Sequence, residues 1–170
     1  RRPARSDPGT GALIPLEAQD TSLWDEAYLD DAEQALANAA RNASLGRYQI
    51  EASIQAVHAA RRRTGATDWA ELKLLYAGLV AIAPTIGART GQAAVLAETD
   101  GPQAALAALD VIEAARVATY QPCWATRAHV LAEIGETQAA LEAFDRAIGL
   151  SDDPAARTYL ATRKARLLQA

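Results

Sequence analysis

From residue 24 onward, apolar positions recur with the period of an α-helix. Trp24, Ala27, Tyr28, Ala32, Ala35, Leu36 and Ala39 follow i, i+3, i+4, i+7 spacing, with Asp31 the polar exception. This predicts a first helix entered through the capping residues Asp20, Thr21 and Ser22 and ending near Leu45 and Gly46. A second helix is predicted over about 47–63, with Tyr48, Ile50, Ile54, Val57 and Ala60 on its apolar stripe. Arg61, Arg62 and Arg63 close it, cations where the helix dipole favours them, before Gly65. Thr67 or Asp68 caps a third helix over about 69–83, which presents Trp69, Leu72, Leu75, Tyr76 and Leu79 and stops at Pro84.

The second half repeats. Residues 93–110 and 128–145 align without a gap at a spacing of 35, and 11 of the 18 positions are identical. A period near ~34 residues is that of the tetratricopeptide helix–turn–helix unit. Ala128, Gly135, Ala140, Phe144 and Ala147 fall at that unit's spacing from Trp124. Small residues let two helices cross closely, and the large one fills the groove to the next pair. Pro122 and Pro154 stand at helix starts, where a missing N–H costs nothing. The helix expected over about 154–169 is more polar, as the end of a helical stack must be. The expectation is an all-α, tetratricopeptide-like helical-repeat domain of about eight helices, a right-handed α-solenoid. Residues 1–12, rich in Pro, Gly and Arg, read as a linker. Residues 13–83 form a less regular helical part, and 84–170 hold the repeats with a capping helix.

Composition supports helices and narrows the chemistry. Hydrophobic residues make up 50% of the chain but aromatic ones only 5%, with alanine supplying much of the difference. The net charge of -4 argues against a nucleic-acid surface over the whole domain. The basic clusters at Arg1, Arg2 and Arg5, at Arg61, Arg62 and Arg63, and at Arg157, Arg163, Lys164 and Arg166 read as solvated faces. A lone cysteine, Cys123, and the absence of an apolar span or signal peptide predict a cytoplasmic chain that meets no membrane. The absence of methionine, even at position 1, predicts a fragment or processed product.

No catalytic or metal set is visible, so neither an enzyme nor a cofactor is expected. His58 and His129 show no metal spacing and read as packed or surface residues, and Cys123 as a buried thiol. The run around Gly87 and Gly91 lacks the lysine of a phosphate loop. Acid pairs such as Asp30–Asp31 and Asp152–Asp153 suit capping. The densest polar constellation is Gln19 and Asp20 beside Trp24, with Tyr48 and Gln49 further on. It reads either as capping around an aromatic anchor or as a polar pocket between the first two helices. His58 and Trp69 complete the candidate docking surface.

Five runs, in order, carry a resemblance: LIPLEAQDTSLWD (13–25), GRYQIEASIQAVHA (46–59), TDWAELKLLYAGL (67–79), DGPQAAL (100–106) and YQPCWATRAHVLAEIG (120–135). The series, over about residues 11–168, resembles the C-terminal extension of extracytoplasmic-function RNA polymerase sigma factors, of the sigma-70 family, that carry a tetratricopeptide-like domain. The resemblance implies missing N-terminal sigma regions 2 and 4, joined through 1–12, that alone contact promoter DNA. It implies an extension that controls transcription in cis through those regions or core polymerase. Thr90, Gly91, Gln92 and Ala93 stand where the family usually has an "LNRA" stretch, and Thr21-Ser22 replaces its "RS". The usual histidine near Trp124 is absent. Gly91 would weaken its helix by roughly 1 kcal/mol relative to alanine. Two other readings stand beside this one: a free-standing adaptor that binds a peptide or protein, and a domain that senses a small molecule or peptide.

Overall fold

The computed structural model describes residues 2–41 and 46–169. Arg1 and Leu45, invoked above, lie outside them. Among the described residues the chain is all-α, with nine α-helices. These are α1 (Glu26–Ala40), α2 (Arg47–Thr64), α3 (Trp69–Ile82), α4 (Ile86–Asp100), α5 (Pro102–Asp110), α6 (Ala114–Val117), α7 (Gln121–Ile134), α8 (Thr137–Gly149) and α9 (Pro154–Leu167). Each long helix packs chiefly on its neighbours in the chain, and α4 also touches α7, the contact pattern of stacked repeats. No helix among the described residues is long and apolar enough to cross a membrane.

The helix missing from the sequence reading is α6, a single turn. It follows the bend after α5 that carries Ile112 inward, and it adds Val117 to the core around Cys123, Ala93 and Leu109. The repeat itself is plain. Ala93 and Ala128 are fully buried at equivalent places in α4 and α7, and so are Ala105 and Ala140 in α5 and α8. Leu109 in the first copy and Phe144 in the second, 35 residues apart, are buried at equivalent positions in two separate core clusters. Burying an aromatic of that size contributes roughly 3–5 kcal/mol relative to alanine. Asp68, Thr85 and Asp153 cap α3, α4 and α9 by accepting backbone N–H bonds. Left-handed Gly65 ends α2, with φ of 78°.

The first helix departs from its predicted register. Asp20 does cap a turn, but a short one of the 3-10 type at Thr21–Leu23. Trp24 then leaves it in extended conformation and turns inward, and α1 begins only at Glu26, capped by Asp25. Trp24 therefore does not set the helix face. Ala27, Tyr28, Asp31, Ala32 and Ala35 point to solvent, while Leu29, Glu33, Leu36 and Ala39 are half-buried. α1 buries no residue fully, and polar groups fasten it to α2. Arg62 pairs with Glu26 at 2.7 Å and Arg63 with Glu33 at 2.6 Å. Gln49 Nε2 donates to the carbonyl of Ala39 at 2.8 Å. On α2, Ala59 rather than Ala60 is fully buried, and Tyr48 is 79% exposed, so its place on the apolar stripe is not kept. From Ile50 onward α2 makes the core, with Ile50, Ile54 and Val57.

Gly91, a weak point on helix propensity, has a packing reason. The ring of Tyr76 in α3 lies against it, and a methyl on Gly91 would clash with that ring at Cε1, Cζ and the hydroxyl. We expect Gly91→Ala to lower stability by about 1–2 kcal/mol, because ring displacement outweighs the helix-propensity gain. On a Tyr76→Ala background the same change should stabilise by a few tenths to about 1 kcal/mol. Urea unfolding of the four proteins measures the coupling. A stabilised Gly91→Ala single variant would contradict the packing account.

Candidate functional site

The segment before α1 is not an open tether. Residues 2–12, read as a linker, fold back on themselves. The Asp7 carboxylate accepts bonds from the N–H groups of Gly9 and Thr10 and from the Thr10 hydroxyl. The Asp7 N–H donates to Ala12 O at 2.9 Å, and Ile14 N–H to Arg5 O at 2.8 Å. Ser6 and Leu13 form an isolated antiparallel bridge, and Ala4 is buried. An Asp followed by Pro-Gly-Thr-Gly builds such a turn from its own side chain, which composition alone reads as a flexible join.

From this turn the chain runs as a strap, residues 13–24, between the two ends of the domain. At one end Leu13 N–H donates to Ala155 O at the start of α9, at 3.0 Å. At the other, Arg61 of α2 grips the strap. Its Nη1 donates to Glu17 O at 2.7 Å, and its Nη2 to Leu16 O at 2.8 Å and Gln19 O at 3.0 Å. The Arg61 guanidinium lies 5.3 Å from the centre of the Trp24 ring, a cation–π contact, and Trp24 is only 4% exposed. Gln19 is buried beside it and ties the strap to itself, Nε2 donating to Ile14 O at 3.1 Å.

Beside the strap lies a half-open cavity of 390 Å³. Leu16 and Glu17 of the strap form one edge. His58 of α2, with Trp69 and Tyr76 of α3, forms one end, and Phe144, Tyr159 and Arg163 of α8 and α9 form the other. The floor comes from α4 and α7, where the repeat shows again. Gly91 and Thr126, Ala94 and His129, and Val95 and Val130 are pairs 35 residues apart, and all six line the cavity. His58 and Trp69 meet edge to face, with ring centres 6.3 Å apart. Arg163 Nη2 lies 2.9 Å from His129 Nδ1, and His129 Nε2 lies 3.3 Å from Glu133. Because arginine only donates, His129 accepts at Nδ1 and donates from Nε2. Burial pushes the Tyr76 phenol above its ordinary range, so it keeps its proton.

The candidate residues thus fall in three places. Gln19 and Trp24 lie in the strap under Arg61, and Asp20, exposed, shapes its second turn. His58 and Trp69 sit in the cavity wall. Tyr48 and Gln49 are at the start of α2, about 15 Å along the helix from His58. There Gln49 closes the corner between α1 and α2, and Tyr48 stands in solvent. The polar run 13–25 therefore docks on α2 and α9, not between the first two helices. Sequence reasoning missed Arg61, Glu98, Tyr159 and Arg163. Arg61 stood in a run of three arginines whose members have different partners, and no sequence signal separates them. The lone thiol, Cys123, is buried, and burial raises it above its ordinary range, which leaves it unreactive. No group of three or more His, Cys, Asp or Glu among the described residues is placed to hold a metal ion.

Two predictions concern the strap. Arg61→Ala removes three charge-assisted bonds of roughly 1.5–3 kcal/mol each, not strictly additive. Amide exchange in 14–24 should speed at least tenfold in that variant, about 1.4 kcal/mol of local opening, while α7 and α8 keep wild-type protection. Arg61→Lys should loosen the strap nearly as much, since an ammonium cannot span three carbonyls in one plane. Unchanged exchange in both variants would refute the clamp.

The second prediction is acid sensitivity. The Ser22 hydroxyl, and then its N–H, hold Asp20 below the usual carboxylate range, and Thr10 does the same for Asp7. A depressed carboxylate contributes stability that is complete above the ordinary value of 3.8 and is lost as pH falls through the folded value. Amide exchange across 7–22 should therefore be flat above about pH 4 after correction for the intrinsic rate, and the turns should open below it. The double variant Asp7→Asn, Asp20→Asn should lack that acid transition.

The chain is similar to an uncharacterized protein of Rhizobium meliloti (strain 1021), 34% identical over 160 residues. The match takes in 94% of this chain but only 37% of that protein. No family model matches the chain. No solved structure matches it either.

Proposed function

We propose that this chain is the regulatory, protein-interacting C-terminal domain of an extracytoplasmic-function RNA polymerase sigma factor. In this reading it acts in the cytoplasm, without an enzymatic step or cofactor. It controls transcription initiation through contacts with sigma regions 2 and 4 or with core polymerase, and it meets DNA only through those regions.

The observation that carries the reading is the place of the run 13–25. This is the opening run of the resemblance, and it forms the strap, held at both ends through its backbone. A strap fastened to α2 and α9 links whatever precedes it to the position of the helical body. The relative in Rhizobium meliloti is consistent with such a layout, since 37% of its length is covered by the match. A second reading, a domain that senses a small molecule or peptide, is favoured by the cavity beside the strap. The two are compatible.

The test has two stages. The coding sequence upstream of Arg1 should encode sigma regions 2 and 4. Then, in reconstituted transcription with the full-length protein, deletion of 26–170 and the Arg61→Ala change should each alter transcript yield from its promoter by at least about fivefold, the low end of ordinary coupling between sites. An upstream frame without those regions, or yields unchanged by both variants, overturns the proposal.

A further inference from the structure

The cavity beside the strap has a chemistry of its own. Its body is aromatic and aliphatic, from Trp69, Tyr76, Phe144, Tyr159 and Val130. Its volume of 390 Å³ lies in the range of small-molecule pockets, about 300–1,000 Å³. Its wall carries charges of both signs, Glu17 and Glu98 against Arg163. None of these three has an ion-pair partner within 4.0 Å among the described residues.

The repeat explains why Glu98 stands apart. Its counterpart 35 residues on, Glu133, lies 3.3 Å from His129 one helical turn back. In the first copy the position of His129 is taken by Ala94, so Glu98 loses that neighbour and the cavity gains the space. Arg163 offers five N–H donors, and one of its nitrogens faces His129 Nδ1. Donors remain for a carboxylate.

Opposite charges held apart around an apolar pocket select a ligand that carries both. A simple anion would face two carboxylates, and a simple cation would face the guanidinium. We propose that this cavity binds a small zwitterion with an apolar side chain, a free amino acid or dipeptide. Arg163 takes the carboxylate, Glu98 with Glu17 takes the ammonium, and the apolar side chain lies among Trp69, Tyr76 and Phe144. Because Glu17 belongs to the strap, a bound ligand joins the strap to the wall and stabilises its docked position. The site rests on the geometry of this chain alone and not on the transcriptional reading.

The test is calorimetric titration of the 170-residue chain with L-phenylalanine, L-leucine, L-tryptophan and Leu-Phe. N-acetyl-phenylalanine, phenylalanine amide and glycine serve as comparators. Saturable binding of at least one free amino acid or the dipeptide is expected. Loss of either charge, or of the side chain, should weaken it at least about tenfold. Arg163→Gln should abolish the preference for phenylalanine over its amide, and Glu98→Gln the preference over the N-acetyl form. Glu98 is exposed, so its variant reports even where Arg163→Gln disturbs the fold through His129. No saturable binding of any free compound, or equal affinity for charged and blocked forms, overturns the proposal. Either result leaves the transcription assay, run without added ligand, unaffected.

Discussion

One guanidinium sets the arrangement of the front of this chain. Arg61 carries five donors in a plane and can bond several carbonyls at once only if a turn presents them on the same side. The short turn Leu16–Ala18 and the residue after it do so, and three of their carbonyls converge on the two terminal nitrogens. Trp24 covers the face of the same group. Half-burying a charge is costly without such partners. Here hydrogen bonds to carbonyls and the aromatic face replace water. The strap, the edge of the cavity and the inward turn of Trp24 that delays α1 all depend on this contact.

The parts of the fold that were legible are those in which a side chain's own character decides its place. α2 and α3 begin and end within a residue or two of their expected bounds, because Asp68, Gly65 and Pro84 punctuate them and Ile50, Ile54, Val57, Leu72 and Leu79 have nowhere to go but the core. The repeat was legible because its small residues recur in register. The strap was not, because it docks through carbonyl groups that every residue possesses. The face of α1 was misread for a related reason. Trp24 is the largest side chain near its start, and it lies outside the helix, so it gave the stripe a false origin. Of the candidate site, Gln19, Trp24, His58 and Trp69 could be named. What they do depends on Arg61, whose role no spacing rule distinguishes from that of Arg62 or Arg63.

Two of the differences between the copies of the repeat lie in the cavity wall. Buried crossings are kept, alanine for alanine, since any added bulk would push the helices apart. At the surface facing the strap, the pairs Gly91 and Thr126, and Ala94 and His129, have diverged. Gly91 admits the Tyr76 ring, and Ala94 leaves space beside Glu98. Each change makes room in the first copy where the second is filled. A repeat with two identical copies would have a more even wall. The asymmetry shapes the pocket while the alanine crossings hold its frame.

Stability is distributed in the same sense. The repeats bury Ala128, Ala140, Phe144 and their neighbours in continuous cores. α1 buries no residue fully, and the strap buries only Gln19 and Trp24 among the described residues, with Leu23 nearly half exposed at 48%. Few apolar contacts and many polar ones define a region that opens locally, well below the free energy of global unfolding. Such a region can be biased by one bound molecule or one neighbouring domain without unfolding of the repeats. The buried repeats thus form the firm wall of the cavity, and the strap, through Leu16 and Glu17, forms an edge of it that opens more readily.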